Sequence, residues 1–146
     1  QSMPKQAGIE FAHLNANKYR GVATFSTHDM APMRLWWEEN PERTQRYYAT
    51  MLQKDGRAPL KMPAFIAEEV IARHLYCPSM MCIMALQDWL AVDAGLHNPD
   101  TRAERINVPG SAFCGWSYRM HIDIERLVGD VKFNEKLKLM ITRSRR

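Results

Sequence analysis

No stretch of this 146-residue sequence stays apolar for long. The longest run, Met80 to Leu86, is far short of the ~20 residues that cross a bilayer, so a membrane-spanning segment is not expected. Nor does a basic and apolar leader with a small-residue cleavage site open the sequence, and secretion is not expected either. Cysteine is scarce. Cys77, Cys82 and Cys114 form neither an even set nor a CxxC pair. That argues against a disulfide framework and against a zinc site completed by His74, and suits buried thiols in a reducing cytosol. GxGxxG, GxxxxGKS/T, HExxH and GxSxG are all missing, which leaves dinucleotide, P-loop, zinc-protease and hydrolase-elbow chemistry without support. Repeats and low-complexity segments are lacking too.

What is present is the material of one ordinary core. Hydrophobic residues make up 46% and charged residues 25%, with Trp 4, Tyr 5, Phe 5 and Met 10 to fill an interior. The net charge of +4 raises the question of phosphate binding. Its distribution answers it: the basic excess lies in Lys132, Lys136, Lys138, Arg143, Arg145 and Arg146, where cations complement the carbonyl end of a last helix. A solvated terminus and no nucleic-acid partner are expected.

Apolar patterning predicts an α/β order. Residues 1–20 read as an irregular lead-in, and Val22 to Thr27, β-branched and aromatic, as a buried strand ending at His28-Asp29. A short helix is expected from Pro32 to Glu39. Asn40-Pro41 then supplies an N-cap and a first-turn proline for a second helix that stops before Gly56. Pro63 opens a third over Ala64–Leu75, with Phe65, Ile66, Val70, Ile71 and Leu75 on its apolar side. Met80 to Leu86 suits strand or buried helix alike. Strand is preferred because it repeats the first arrangement, an apolar run that delivers polar Gln87-Asp88 at its carboxyl end before a short helix with Trp89 and Leu90. Residues 94–105 form a loop and 106–110 a turn. Two closing helices follow, capped by Asp123 and Asn134.

Ligands of parallel α/β sheets bind outside the carboxyl ends of the strands. Two such ends exist here. His28 and Asp29 place an imidazole beside a carboxylate, suited to sugar hydroxyls or developing positive charge, although a cap with a surface histidine has the same wording. Gln87 and Asp88 could grip vicinal hydroxyls, or Asp88 could cap its own helix. Trp36 and Trp37 read as core beside Leu35. Trp116 and Tyr118, in an irregular segment, read as cleft-lining residues.

Taken in order, Val22-Ala-Thr-Phe-Ser-Thr-His-Asp-Met30, Arg34-Leu-Trp-Trp-Glu-Glu39, Ala85-Leu-Gln-Asp-Trp-Leu90, Arg105-Ile-Asn-Val-Pro-Gly110 and Trp116-Ser-Tyr-Arg119 resemble the carboxyl-terminal part of 4-alpha-glucanotransferases. These are the amylomaltases or disproportionating enzymes of glycoside hydrolase family 77. The likeness spans roughly residues 20–140, and its Asn-Pro-Glu and Leu-Gln-Asp-Trp-Leu wording is similar to the long bacterial and plant-cytosolic type. It implies a cytoplasmic (β/α)8 TIM-barrel transferase that moves alpha-1,4-glucan segments to glucose or another maltooligosaccharide with retention of configuration. No cofactor and no metal are implied. Asp29 maps onto the family's third carboxylate, the one that stabilises the transition state, and His28 onto a residue that bonds the same sugar. Gln87, Asp88, Asn107 and Trp116 fall where the family's cleft would border the substrate.

The departure from the family is one of extent. A whole barrel takes roughly 250 residues, and motifs matching the family's nucleophile and acid/base are not found here. The expectation is a single incomplete unit, residues 1–146, mostly helical with about two short barrel strands, inactive by itself. Its open strand edges predict either self-association or settling as a mostly helical unit. A non-catalytic carbohydrate-binding or scaffold module is the alternative, one that would bind glucan without turning it over.

Overall fold

The computed structural model describes residues 10–111 and 116–146. Two strands, β1 (Val22–Ala23) and β2 (Met81–Cys82), pair in parallel, with Val22 opposite Met81 and Ala23 opposite Cys82. Between them lie α1 (Met33–Glu39), α2 (Pro41–Thr50) and α3 (Ala64–Leu75). After β2 come α4 (Leu86–Leu90), α5 (Ile124–Gly129) and α6 (Val131–Arg143). Parallel strands need a long crossover, and three helices supply it. The described chain is therefore mostly helical around one parallel pair. Residues 1–9 of the predicted lead-in, and Cys114, one of the predicted buried thiols, lie outside the described residues. Within the rest of the lead-in, Leu14–Ala16 forms a single 3-10 turn.

Both strands are shorter than their apolar runs predict. Val22 to Thr27 was expected as one buried strand, yet pairing stops at Ala23, and Val22 stands 57% exposed. Met80 to Leu86 contributes only Met81 and Cys82, and Leu86 opens α4 instead. The reason is the ladder: among the described residues each strand has only the other as a partner, so backbone beyond the mutual register finds other bonds. Thr24, for example, donates its hydroxyl to the carbonyl of Ser26 at 2.7 Å.

The helices follow their sequence signals more closely. Asn40 caps α2, its Oδ1 accepting from the amide of Arg43 at 2.9 Å, and Pro41 occupies the first turn. Helix α3 forms the centre, with Ile66, Ala67, Val70 and Ile71 fully buried against Met33, Trp37, Leu90 and Phe133. Burying each large apolar side chain there is worth about 1.5–3 kcal/mol. Phe65 departs from the predicted apolar stripe and is 61% exposed, because it precedes that face by one position. Of the two tryptophans expected as core, Trp37 is core and Trp36 is half-buried against it. Trp37 is buried, and Trp36 meets Phe25 edge-to-face at 5.8 Å.

The carboxyl-terminal helices correct two expectations. Asn134 is not the cap of the last helix: Asp130 accepts from the amide of Phe133 at 2.9 Å and opens α6 one turn earlier. Asn134 faces backwards instead, its Nδ2 donating to the carbonyls of Leu127 and Val128 at the end of α5. Asp123 holds the N-cap position of α5 without a side-chain cap bond. The basic terminus is also more engaged than a solvated tail. Lys136 reaches Glu68 at 2.6 Å and the Val92 carbonyl at 2.9 Å, and Arg146 donates to the carbonyls of Leu75, Cys77, Ser79 and Met80.

Candidate functional site

Beyond β1 the chain turns sharply. The Met30 amide donates to the Thr27 carbonyl at 3.0 Å, so His28 and Asp29 sit at the tip of a turn, with side chains 53% and 47% exposed. His28 Nε2 lies 3.3 Å from Asp29 Oδ2. The second carboxylate oxygen is engaged too: Asn107 Nδ2 donates to Asp29 Oδ1 at 2.6 Å, while the Asn107 amide donates to the His28 carbonyl at 3.1 Å. Asn107 thus holds both residues of the turn, one by side chain and one by backbone.

Trp116 completes the group, its ring 4.9 Å from that of His28 and tilted by 38°. It is 61% exposed and has φ +46°, an uncommon conformation for a bulky residue and one that concentrates at functional positions. His28, Asp29, Asn107 and Trp116 therefore share one surface: a carboxylate, an imidazole, an amide and an exposed aromatic face. That set can hydrogen-bond hydroxyl groups and stack on a sugar ring.

Gln87 and Asp88 are not brought to this surface. Both are buried, and both brace it from beneath. Asp88 Oδ2 accepts from the Ser26 hydroxyl at 2.5 Å and Oδ1 from the Met33 amide at 2.7 Å. The carboxylate so closes the start of α1, a helix other than its own, where Pro32 offers no side-chain cap. Burial pushes the Asp88 carboxyl above the usual carboxylate range, partly offset by the bonds from Ser26 and Met33. Gln87 donates through Nε2 to the Glu104 carbonyl at 3.2 Å.

Glu104 belongs to a support that the sequence reading missed. The loop that brings Asn107 to Asp29 is pinned at four points. Arg34 Nη1 donates to the Asn98 carbonyl at 2.6 Å and to Glu104 Oε1 at 3.2 Å. Thr101 donates its hydroxyl to Glu38 at 2.9 Å. Arg105 donates from Nε to the Asn107 carbonyl at 3.1 Å and from Nη1 to Glu39 at 3.0 Å. Gln87 supplies the fourth. The one available signal was Arg34 itself, a guanidinium inside the otherwise apolar Met33-Arg-Leu-Trp-Trp segment, since an arginine on a buried face needs a partner. Tyr118 is half-buried, and burial together with the Glu104 carboxylate raises its phenol. Among the described residues no group of three or more His, Cys, Asp and Glu side chains is placed to hold a metal ion.

A family model described as 4-alpha-glucanotransferase, that of glycoside hydrolase family 77, matches residues 1–124. The chain belongs to this family. It is 31% identical over its full 146 residues to 4-alpha-glucanotransferase DPE2 of rice, Oryza sativa subsp. japonica, and covers 15% of that protein. It is 31% identical over 117 residues to the 4-alpha-glucanotransferase of Chlamydia muridarum, covering 80% of this chain and 22% of the relative. The corresponding protein of Chlamydia trachomatis is 29% identical over 120 residues, 82% of this chain and 22% of its own. The chain thus spans 15% to 22% of the length of these curated relatives. The matched residues include both strands, the His28–Asp29 turn, Asn107 and Trp116.

Proposed function

We propose that this chain is part of a 4-alpha-glucanotransferase that transfers alpha-1,4-glucan segments to glucose or another maltooligosaccharide, with β1 and β2 as the last two strands of a (β/α)8 TIM barrel. The observation that carries the reading is the convergence of His28, Asp29, Asn107 and Trp116 on one surface beyond the carboxyl end of β1, where such barrels keep their active sites. The parallel pairing of β1 with β2 suits neighbouring barrel strands.

In this reading the reaction retains configuration. A carboxylate nucleophile and a carboxylic acid about 5–5.5 Å apart perform it through an oxocarbenium-like transition state, and both lie on strands outside this chain. Asp29 is the transition-state stabiliser. It binds hydroxyls of the sugar at the cleavage point and favours its distorted, positively charged form over the ground state. His28 bonds the same sugar, Asn107 fixes the Asp29 carboxylate, and Trp116 offers a face to a ring of the glucan. Gln87 and Asp88 act from below, through the Glu104 carbonyl and the start of α1, rather than on the glucan itself. No cofactor takes part. The thiols of Cys77 and Cys82 are free, which suits the cytosol. Without the catalytic pair the isolated chain is inactive, and it self-associates through the exposed Val22, Met80, Met81 and Ile83 beside its short ladder.

The test is glucose release from maltotriose by the complete protein, wild type against Asp29→Asn at equal folded concentration. A loss of about a hundredfold or more is expected, the scale of removing one preorganised electrostatic group. Wild-type activity without that loss would discard the site, and an inactive wild type would discard the transferase reading.

A further inference from the structure

The chain of contacts that ends on Asp29 does not begin at Asn107. Asn107 donates to Asp29 Oδ1 at 2.6 Å and to the His28 carbonyl at 3.1 Å, but its own backbone is held from outside the site. Arg105, two residues earlier, folds its guanidinium back. Nε donates to the Asn107 carbonyl at 3.1 Å, and Nη1 reaches Glu39, the last residue of α1, at 3.0 Å. The amide and the carbonyl of Asn107 are thereby fixed on opposite sides, one by the catalytic turn and one by α1. A planar fork suits this task, because two donors of fixed mutual geometry serve two acceptors at once, which a lysine ammonium on its flexible stem does not reproduce. Arg105 is half-buried, with its side chain 24% exposed, and Glu39 is 38% exposed. Neither is core, so the pair is placed to set geometry more than to hold the fold.

We propose that Arg105, anchored on Glu39, is a positioning residue for the transfer reaction: it fixes the Asn107 backbone so that the Asn107 amide presents Asp29 to the sugar at the cleavage point. The inference rests on the proposed transferase role of Asp29 and adds a residue to it. Arg105 touches no reacting atom. Its effect passes through Asn107, and that route makes it testable.

The first measurement needs no activity. Crystal structures of the complete protein as wild type, Arg105→Ala and Glu39→Gln are compared for the separation of Asn107 Nδ2 from Asp29 Oδ1. Arg105→Ala lengthens it beyond hydrogen-bond range, and Glu39→Gln, which keeps an acceptor for Nη1, preserves it. A bond retained in Arg105→Ala overturns the proposal even if the protein proves not to be a transferase.

The second measurement is steady-state transfer from maltotriose. Arg105→Ala lowers kcat by about ten- to a hundredfold, the range for misplacing a catalytic group, with KM changed far less. Arg105→Lys does not rescue it, and Glu39→Gln stays close to wild type. The double variant Arg105→Ala/Asn107→Ala is no slower than Asn107→Ala alone, since both changes break one route. A merely structural role would lower the melting temperature and add to the Asn107→Ala loss, and additivity of that kind overturns the proposal. An inactive wild type rejects the transferase reading and an active Asp29→Asn rejects the role of Asp29; either leaves the structural comparison to decide the role of Arg105.

Discussion

The guanidinium of Arg34 and the carboxyl of Glu104 meet at 3.2 Å with side chains only 5% and 1% exposed. They join α1 to the loop that delivers Asn107. A pair so removed from water is costly to ionise, and its energetics show in the pH dependence of the fold.

Burial pushes the Glu104 carboxyl up to about 7, against the opposing pull of Arg34. The folded chain therefore holds this proton more tightly than the unfolded chain. The associated stability is present in full below about pH 4.5 and is lost as pH rises through about 7. Glu104→Gln removes that titration while keeping an acceptor for Arg34 and Asn98. Urea unfolding from pH 4.5 to 8 should show wild type losing on the order of 3 kcal/mol relative to the variant. Parallel profiles would contradict it.

His74 works with the opposite sign. Burial lowers its imidazole to about 4, and the ring sits 2.8 Å from the Val70 carbonyl through Nδ1, edge-on to Phe25. Its contribution is present above about pH 6.5 and is lost as pH falls through about 4. In His74→Gln the acid limb of the unfolding profile flattens, so that the slope from Glu104 dominates below neutrality. In the wild type the two slopes oppose one another between about pH 4.5 and 6.5, and thermal midpoints there vary less than in either single variant.

Asp88→Ala strips two buried donors, the Ser26 hydroxyl and the Met33 amide, of their acceptor. Each buried donor left without a partner costs about 1–3 kcal/mol. Asp88→Ala is therefore among the most destabilising single polar changes in the chain, with Asp88→Asn milder because one acceptor oxygen remains. Chemical denaturation of both variants ranks them, and equal losses would show that the Met33 bond contributes little.

At the other end, Asp130→Ala removes the cap on α6. A loss of about 1 kcal/mol is expected, with reduced helicity by circular dichroism. Asn134→Ala, by contrast, leaves the start of α6 capped and frays the end of α5.

Legibility in the sequence followed locality. Asn40-Pro41 and the Pro63 helix were readable because capping and helical periodicity are local properties, complete within one turn or two. Strand lengths were not, since the apolar runs of Val22–Thr27 and Met80–Leu86 report burial while pairing depends on which neighbours lie alongside. At the site, His28, Asp29, Asn107 and Trp116 could be named from their motif wording, and they converge. Gln87 and Asp88 shared that wording but turned inward, because an aspartate beside the start of a helix serves a backbone amide as readily as a hydroxyl. Arg105 is legible as the first residue of its motif but its contact is not, because nothing in its spacing reveals that a guanidinium doubles back on its own loop.

The bond from Asn107 to Asp29 joins residues 78 positions apart, and the strand pair beneath it joins Val22 to Met81. Contacts at such sequence distance carry a large loop-closure cost, which the intervening helices lessen by shortening the path between their ends. No local segment of this chain can assemble the surface in advance. The Asp29 carboxylate meets Asn107 only where both ends of that long segment are in place, so the bond between them is a local reporter of a non-local arrangement.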